Sequence, residues 1–167
     1  AQAACTEVGN VITCSNEVGP ISFGPGDFTL PFDPTTVILD ATNNIVSNLQ
    51  FGVTAYGNND MSLVNSGSID VSYNGNAYGM ISVSNFGDAS AINEGLVDVY
   101  SDYGIATGIL AYSNYGDTLA SNTGDISAYS FTGNAYGMVS IAPYGDASAN
   151  NDGSVYAGSF IGDATGI

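Results

Sequence analysis

The chain has 167 residues, including 16 acidic residues and no Lys, Arg or His, so its formal net charge is −16. This charge excludes electrostatic binding to the phosphate backbone of a nucleic acid and argues against an anionic membrane surface as a partner, since both need cations on the protein. The hydrophobic fraction of 44% is too high for a disordered acidic chain, and no apolar run approaches the ~20 residues that cross a bilayer, so no membrane insertion is expected.

The first predicted element lies around the only two cysteines, Cys5 and Cys14. A turn signal, Gly9-Asn10, stands between them and is flanked by β-branched residues, which predicts a small hairpin closed by a disulfide. Two free, buried thiols are the alternative. A disulfide indicates an oxidising compartment outside the cytoplasm. Residues 1–4 also look like what remains after cleavage of a signal peptide.

Residues 1–50 differ in composition from the rest of the chain, because four of the five prolines lie there. Proline cannot donate a hydrogen bond to a sheet and is excluded from central strands. The composition therefore predicts an N-terminal cap over residues 1–50 and a regular array over residues 51–167. Such a cap covers the first sheet edge of a stacked-repeat protein.

The regular array repeats every 29 residues, and the period is clearest in Gly75, Gly104, Gly133 and Gly162. Each unit contains a Gly-x-Ala-x-Gly segment, an aromatic-Gly-Asp segment and an Asn-x-Gly segment, with short strand-like runs between them. A fixed period without insertions indicates stacked identical units. Three corners and three strands per unit predict one coil of a parallel β-helix, and the scarcity of helix formers excludes a helical repeat.

Alternation along the strands predicts which side chains face the interior. On the third strand of a coil, Val97 and Val99 and their equivalents should point inward, as should the small alanines of the second strand. The first strand is ambiguous because both of its column sets are apolar. One set contains Met80 and the aromatic residue of the next corner, and the other contains Ile81. If the first set fills the core, the second forms an exposed apolar stripe, which is typical of an interaction surface.

Two polar columns recur at the predicted corners. The asparagines before the Asn-x-Gly glycine are expected to form an internal amide ladder, with a binding role as the alternative. The aspartates of the aromatic-Gly-Asp corner repel one another at a coil spacing of ~4.8 Å, and Ca²⁺ prefers such oxygen-only sites. They are a candidate calcium site, and the alternative is a solvated corner at which each aspartate makes a local turn bond. The asparagines are Asn65, Asn93, Asn122 and Asn151, and the aspartates are Asp88, Asp117 and Asp146.

Aromatic residues also align in columns. Tyr78 and Tyr136 occupy equivalent positions two repeats apart, and Tyr100 and Tyr129 align on the third strand. Exposed aromatic columns can stack on sugar rings or pack against a partner protein, so these four tyrosines are candidate surface-binding residues. Ordinary stacking between neighbouring strands is the alternative interpretation.

The Gly-x-Ala-x-Gly-Ile/Met, aromatic-Gly-Asp and Asn-x-Gly repeats, together with the Ala-Cys-Thr…Thr-Cys start, resemble the passenger regions of bacterial autotransporters. The resemblance covers residues 1–16 and 51–167. It implies a right-handed parallel β-helix displayed outside a Gram-negative cell, often in adhesion. The membrane-inserting β-barrel that such proteins carry at the C-terminus has no counterpart in this sequence.

No enzymatic activity is expected, because a serine or cysteine nucleophile needs a base and the chain has neither His nor Lys. Residues 162–167 begin another coil, and an uncovered coil end would expose unpaired backbone groups. Docking of that end onto a second copy gives a head-to-tail filament. The sequence therefore predicts an extracellular structural or adhesive solenoid that polymerises through its coil ends, or alternatively a module that binds a glycan or host surface.

Overall fold

The computed structural model describes residues 5–24 and 35–167, and these residues contain eighteen β-strands and no helix. The strands are β1 (Cys5–Val8), β2 (Val11–Cys14), β3 (Ile21–Phe23), β4 (Thr35–Leu39), β5 (Asn44–Ser47), β6 (Phe51–Gly57), β7 (Met61–Asn65), β8 (Ser68–Tyr73), β9 (Ala77–Ser84), β10 (Ala89–Asn93), β11 (Leu96–Ser101), β12 (Ala106–Ser113), β13 (Thr118–Asn122), β14 (Asp125–Ser130), β15 (Ala135–Ile141), β16 (Ala147–Asn151), β17 (Ser154–Ser159) and β18 (Ala164–Thr165).

The strands form three sheets that the chain visits in turn. Sheet I has the order β1-β2-β4-β7-β10-β13-β16, sheet II has β5-β8-β11-β14-β17, and sheet III has β3-β6-β9-β12-β15-β18. Neighbouring strands are parallel from β2 onward, and the register partners of the later coils lie one sequence repeat apart, as Ala77 and Ala106 do. The predicted parallel β-helix, with three strands in each coil of about 29 residues, is confirmed.

The sheets continue without interruption across residue 51. Strands β2 to β5 lie in the region predicted as a cap; β2 pairs in parallel with β4, and β3, β4 and β5 pair in parallel with strands that begin at residue 51 or later. The antiparallel strand β1 covers the edge of β2, and the register places Cys5 opposite Cys14. These cysteines form the predicted disulfide, with an S–S distance of 1.99 Å. Three of the prolines used to define the cap, Pro25, Pro31 and Pro34, lie outside the described residues.

The three sheets enclose one apolar core, and the predicted inward positions of the third strand are confirmed. Val97 and Val99 are completely buried, as are Met80 and Ile109 of the first strand. The corner aromatics grouped with them lie outside instead, because β9 ends at Ser84 and a turn intervenes before Phe86, which is 62% exposed. The second column set, including Ile81 and Leu110, faces outward from sheet III and is half-buried.

The predicted asparagine ladder is also confirmed, and it lies inside the solenoid. Asn93 is fully buried, and its Nδ2 donates to Oδ1 of Asn122 at 2.8 Å and to the Gly95 carbonyl at 3.0 Å. Asn65 donates to Asn93 in the same way at 2.8 Å, and Asn122 donates to Asn151 at 2.8 Å. Each amide therefore holds its own corner and the next coil at once.

Buried serines hold the other two corners. Ser101 Oγ donates to the Gly75 carbonyl of the preceding coil at 2.7 Å and accepts from the Gly104 amide at 2.9 Å. Within the described part of the chain, no buried side-chain nitrogen or oxygen lacks a hydrogen-bond partner. Serines with equivalent bonds to the preceding coil are Ser84, Ser113, Ser130 and Ser159.

Candidate functional site

The aspartates proposed as calcium ligands lie exposed at the corner between sheets III and I. Asp60 lies at the equivalent position of the preceding coil and belongs to the same column. Oδ1 of Asp60 accepts a hydrogen bond from the Asp88 amide at 2.9 Å, Asp88 accepts one from the Asp117 amide at 2.9 Å, and Asp117 accepts one from the Asp146 amide at 2.8 Å. The column is thus a side-chain-to-backbone ladder between coils, a bond that neither sequence interpretation anticipated.

No group of three or more His, Cys, Asp or Glu side chains in the described residues comes together in a way that suits a metal ion. One carboxylate oxygen of Asp88 and of Asp117 is already paired with the next coil. Calcium binding at Asp88, Asp117 and Asp146 stays a prediction, and it would have to use the oxygens that point away from these amides.

Tyr78 and Tyr136 lie half-buried on the outer face of sheet III, with Thr107 between them in the same register column. Thr107 is only 4% exposed. The ring of Tyr78 stacks on Phe51 of the preceding coil, with centroids 5.6 Å apart and an interplanar angle of 23°. Both tyrosines, together with Thr107, line a cavity of about 560 Å³ on this face.

Tyr100 and Tyr129 lie on a different sheet, at the outer face of sheet II, where they are direct register partners. Their rings are stacked, with centroids 5.8 Å apart and an interplanar angle of 11°. The Tyr100 hydroxyl donates to Oδ1 of Asp102 at 2.8 Å. This hydrogen bond to a carboxylate raises the pKa of Tyr100.

A further aromatic ladder at the corner between sheets III and I was not predicted, although the aromatic-Gly-Asp signal marked its positions. Phe86, Tyr115 and Tyr144 stack in succession, with centroid distances of 5.8 Å and 5.5 Å. Tyr115 is stacked on both faces, whereas Phe86, Tyr144, Tyr100 and Tyr129 are each stacked on one face.

Charge is distributed unevenly over the three sheets. The described strands of sheet III contain no acidic residue, whereas sheet II carries Asp70, Asp98 and Asp125, and the corners carry most of the other described carboxylates. The described strands of sheet I also lack acidic residues apart from Glu7 of β1, but serine is frequent on the outer face of that sheet. We define the neutral face as the outward side chains of β6, β9, β12 and β15, namely Phe51, Thr54, Tyr56, Tyr78, Ile81, Val83, Thr107, Leu110, Tyr112, Tyr136, Val139 and Ile141.

The neutral face is concave at its N-terminal end. A cavity of about 480 Å³ lies there, and its lining includes Leu49, Phe51, Thr54, Ile81 and Val83. The lining is predominantly apolar, so this surface favours contact with another apolar surface over contact with a charged ligand.

Comparison with protein-family models, with curated proteins and with solved structures found no match. The described residues include no helix that is long and apolar enough to cross a membrane. The candidate site is therefore defined by the geometry of this chain alone: a β-solenoid with an uncharged, apolar outer face on one of its three sheets.

Proposed function

We propose that this chain is an extracellular, non-catalytic structural β-solenoid that associates with further copies of itself through the neutral face. The observation that carries the proposal is that the described strands of sheet III have no carboxylate and an apolar outer face in a chain with a net charge of −16, whereas the charge-poor sheet I has a serine-rich outer face. Two such chains repel one another, so they meet at the lowest electrostatic cost where neither presents a charge.

The chemistry of the neutral face favours a second copy over other protein partners. A basic partner would gain most from sheet II and the corners, where the carboxylates lie, and would gain nothing from sheet III. The neutral face instead fits an uncharged, apolar surface, and every copy of this chain carries one. A contact between two neutral faces is isologous, so it produces a closed dimer, and adhesive pairing between cells displaying the chain follows from the same geometry.

The size of the face sets the expected strength. Four strands at ~4.8 Å spacing, each about seven residues long at ~3.3 Å per residue, cover ~450 Å² per copy. The ~900 Å² buried by a pair falls below the ~1,200–2,000 Å² of standard stable interfaces. Association should therefore be weak and reversible, and it should strengthen with salt, because salt screens the repulsion between the two chains.

Sedimentation velocity over a concentration series at low and high salt tests the proposal. The informative variant is Leu110→Asp on the neutral face, and the matched control is Leu119→Asp, which changes an equally half-buried leucine on the outer face of sheet I in the same coil. We expect concentration-dependent dimers of the wild-type chain and of Leu119→Asp, and monomers of Leu110→Asp. Monomers under all conditions, or equal association of both variants, would refute the neutral face as the interface.

Recognition of a glycan by the aromatic columns is the alternative function. Sugar rings stack on exposed aromatic faces, but Tyr100 and Tyr129 cover one face of each other, and Tyr78 is stacked on Phe51. This geometry favours self-association over glycan binding. A glycan-array signal that disappears on Tyr100→Ala would reverse that preference. Secretion from a Gram-negative cell is part of the proposal, and the Cys5–Cys14 disulfide supports only the oxidising compartment that secretion implies.

A further inference from the structure

Tyr100 and Tyr129 form a stacked pair on sheet II, away from the neutral face, so the proposed self-association does not explain their arrangement. The two residues lie directly opposite each other on neighbouring strands β11 and β14, and their rings are stacked at 5.8 Å. Tyr100 is 37% exposed, and Tyr129 is half-buried. Both phenols are therefore within reach of a solvent-borne oxidant and of each other.

A built-in proton acceptor distinguishes this pair from the other stacked tyrosines. Removing one electron from a phenol makes its hydroxyl strongly acidic, so oxidation is favoured when a base already accepts that hydrogen bond. The Asp102 carboxylate is in this position for Tyr100, at 2.8 Å. The Tyr115–Tyr144 stack is similar in its ring distance of 5.5 Å, but no hydrogen bond from either hydroxyl is found among the described residues.

Tyr100 and Tyr129 stack on each other and on no other ring among the described residues. Ser72 occupies the equivalent position of the preceding coil, and Gly158 occupies that of the following coil. The Tyr156 ring lies over Gly158, so a phenol that is not stacked on the pair is also close to this column. The stacking therefore favours coupling of Tyr100 with Tyr129 over coupling with Tyr156.

We propose that Tyr100 and Tyr129 form an oxidative cross-linking site, at which a peroxidase-class oxidant joins the two rings by a carbon–carbon bond between their Cε atoms. Each phenol loses one electron and its hydroxyl proton, which for Tyr100 passes to Asp102. Hydrogen peroxide takes up two electrons and two protons and becomes two molecules of water. The two radicals couple at their Cε carbons, and the proton on each of these carbons moves to the phenolic oxygen, which restores both aromatic rings.

The cross-link would join successive coils covalently. The loop that it closes is one full coil, whose ends are already held together by hydrogen bonds in the folded solenoid, so the new bond mainly restricts the unfolded chain. The cross-linked protein should therefore resist thermal unfolding better than the untreated protein. This inference is independent of the neutral face, which lies on another sheet.

The test treats the full chain with peroxidase and hydrogen peroxide and follows dityrosine fluorescence and intact mass. The expected product is a monomer that has lost two hydrogen atoms. Cleavage after Asp98 and Asp102 releases the fragment 99–102, in which Tyr100 is the only tyrosine, and this fragment should be joined to the one that contains Tyr129.

Three variants decide the assignment. Tyr129→Phe should remove the cross-linked 99–102 fragment, whereas Tyr144→Phe, which removes one phenol of the comparison stack, should leave it unchanged. Asp102→Asn should lower the initial rate of its formation several-fold without changing the fold by circular dichroism. Persistence of the cross-link to Tyr100 in Tyr129→Phe, dityrosine found only between separate chains, or an unchanged rate in Asp102→Asn would each overturn the proposal.

Discussion

Replacement of the buried Asn93 by alanine tests whether the amide ladder stabilises the solenoid. The change removes four hydrogen bonds: three shorter ones to Asn65, Asn122 and Gly95, at heavy-atom distances of 2.8, 2.8 and 3.0 Å, and a longer one to the Asp125 carbonyl at 3.3 Å. It also leaves Oδ1 of Asn122, a residue that is only 1% exposed, without the donor from the preceding coil. At about 1 kcal/mol for each of the three shorter bonds and about 1–3 kcal/mol for a buried group left unpaired, Asn93→Ala should cost about 4–6 kcal/mol.

The matched control is Asn151→Ala at the last described member of the same ladder. Asn151 accepts one bond from Asn122 and donates one to Gly153, but it is half-buried, so water can replace both partners. We expect a loss of about 1 kcal/mol. Urea unfolding followed by circular dichroism measures both variants. Equal losses for Asn93→Ala and Asn151→Ala would show that the ladder does not act as a buried network.

Further predictions concern the backbone, pH, salt and calcium. Gly108→Ala should strongly destabilise the fold, because a Cβ there would lie 2.5 Å from the Gly137 carbonyl oxygen of the next coil. Gly19→Ala is the control and should not destabilise it, since a Cβ at Gly19 would meet nothing within 4 Å. Thermal melts compare the two variants. Hydrogen bonds from Ser15 and Thr42 lower the pKa of Asp40 below 3.8. These bonds therefore stabilise the folded protein above pH 3.8, and this stabilisation is lost as the pH falls through the lowered pKa of Asp40. Asp40→Asn should therefore be less stable than the wild type at neutral pH, and unfolding titrations should show the difference closing in acid. The melting temperature should rise with sodium chloride, since all formal side-chain charges are negative. If the aspartate corner binds calcium, adding calcium to chelator-treated protein should raise the melting temperature more than magnesium at equal ionic strength, and an equal rise would end the calcium prediction.

The architecture could be predicted from the sequence because the fixed period of the repeat identifies the equivalent residues of successive coils. Equivalent residues of successive repeats become register partners, so the pairing of Asn93 with Asn122 is already given by the period. Burial on the third strand followed from alternation, since the apolar Val97 and Val99 lie on either side of Asp98. Both inferences need only that identical units stack.

The first strand was harder, because both of its faces are apolar and alternation carries no information there. The two-residue period of burial also breaks within it, because Gly79 and Met80 are consecutive and both buried. A Cβ at Gly79 would lie 2.6 Å from the Gly108 carbonyl oxygen, so the close approach of the next coil depends on the absence of a side chain. The Gly-x-Ala-x-Gly pattern predicts a corner at this glycine, but it does not predict which of the following side chains face the core.

The candidate functional surfaces could be predicted only in part, because they depend on side-chain contacts that the period of the repeat does not specify. The Asp column was recognised, yet the structure pairs each carboxylate with the amide of the next coil, which a list of aligned residues does not reveal. Likewise, Tyr100 aligned with Tyr129, but the bond to Asp102 requires the strand end and the turn after it to bring the carboxylate back to the hydroxyl. The repeat shows which residues of successive coils are equivalent, but it does not show which hydrogen bonds join residues at different positions of the repeat.

The interior ladders explain how a chain without a basic residue holds its coils together. Amides, hydroxyls and backbone groups make the bonds between coils, and none of these groups needs a counter-charge, so the carboxylates are left to the corners and sheet II. Their mutual repulsion acts on the surface, where water and salt weaken it. An acidic exterior then opposes indiscriminate association, and sheet III, with its uncharged apolar face, becomes the surface on which association costs least.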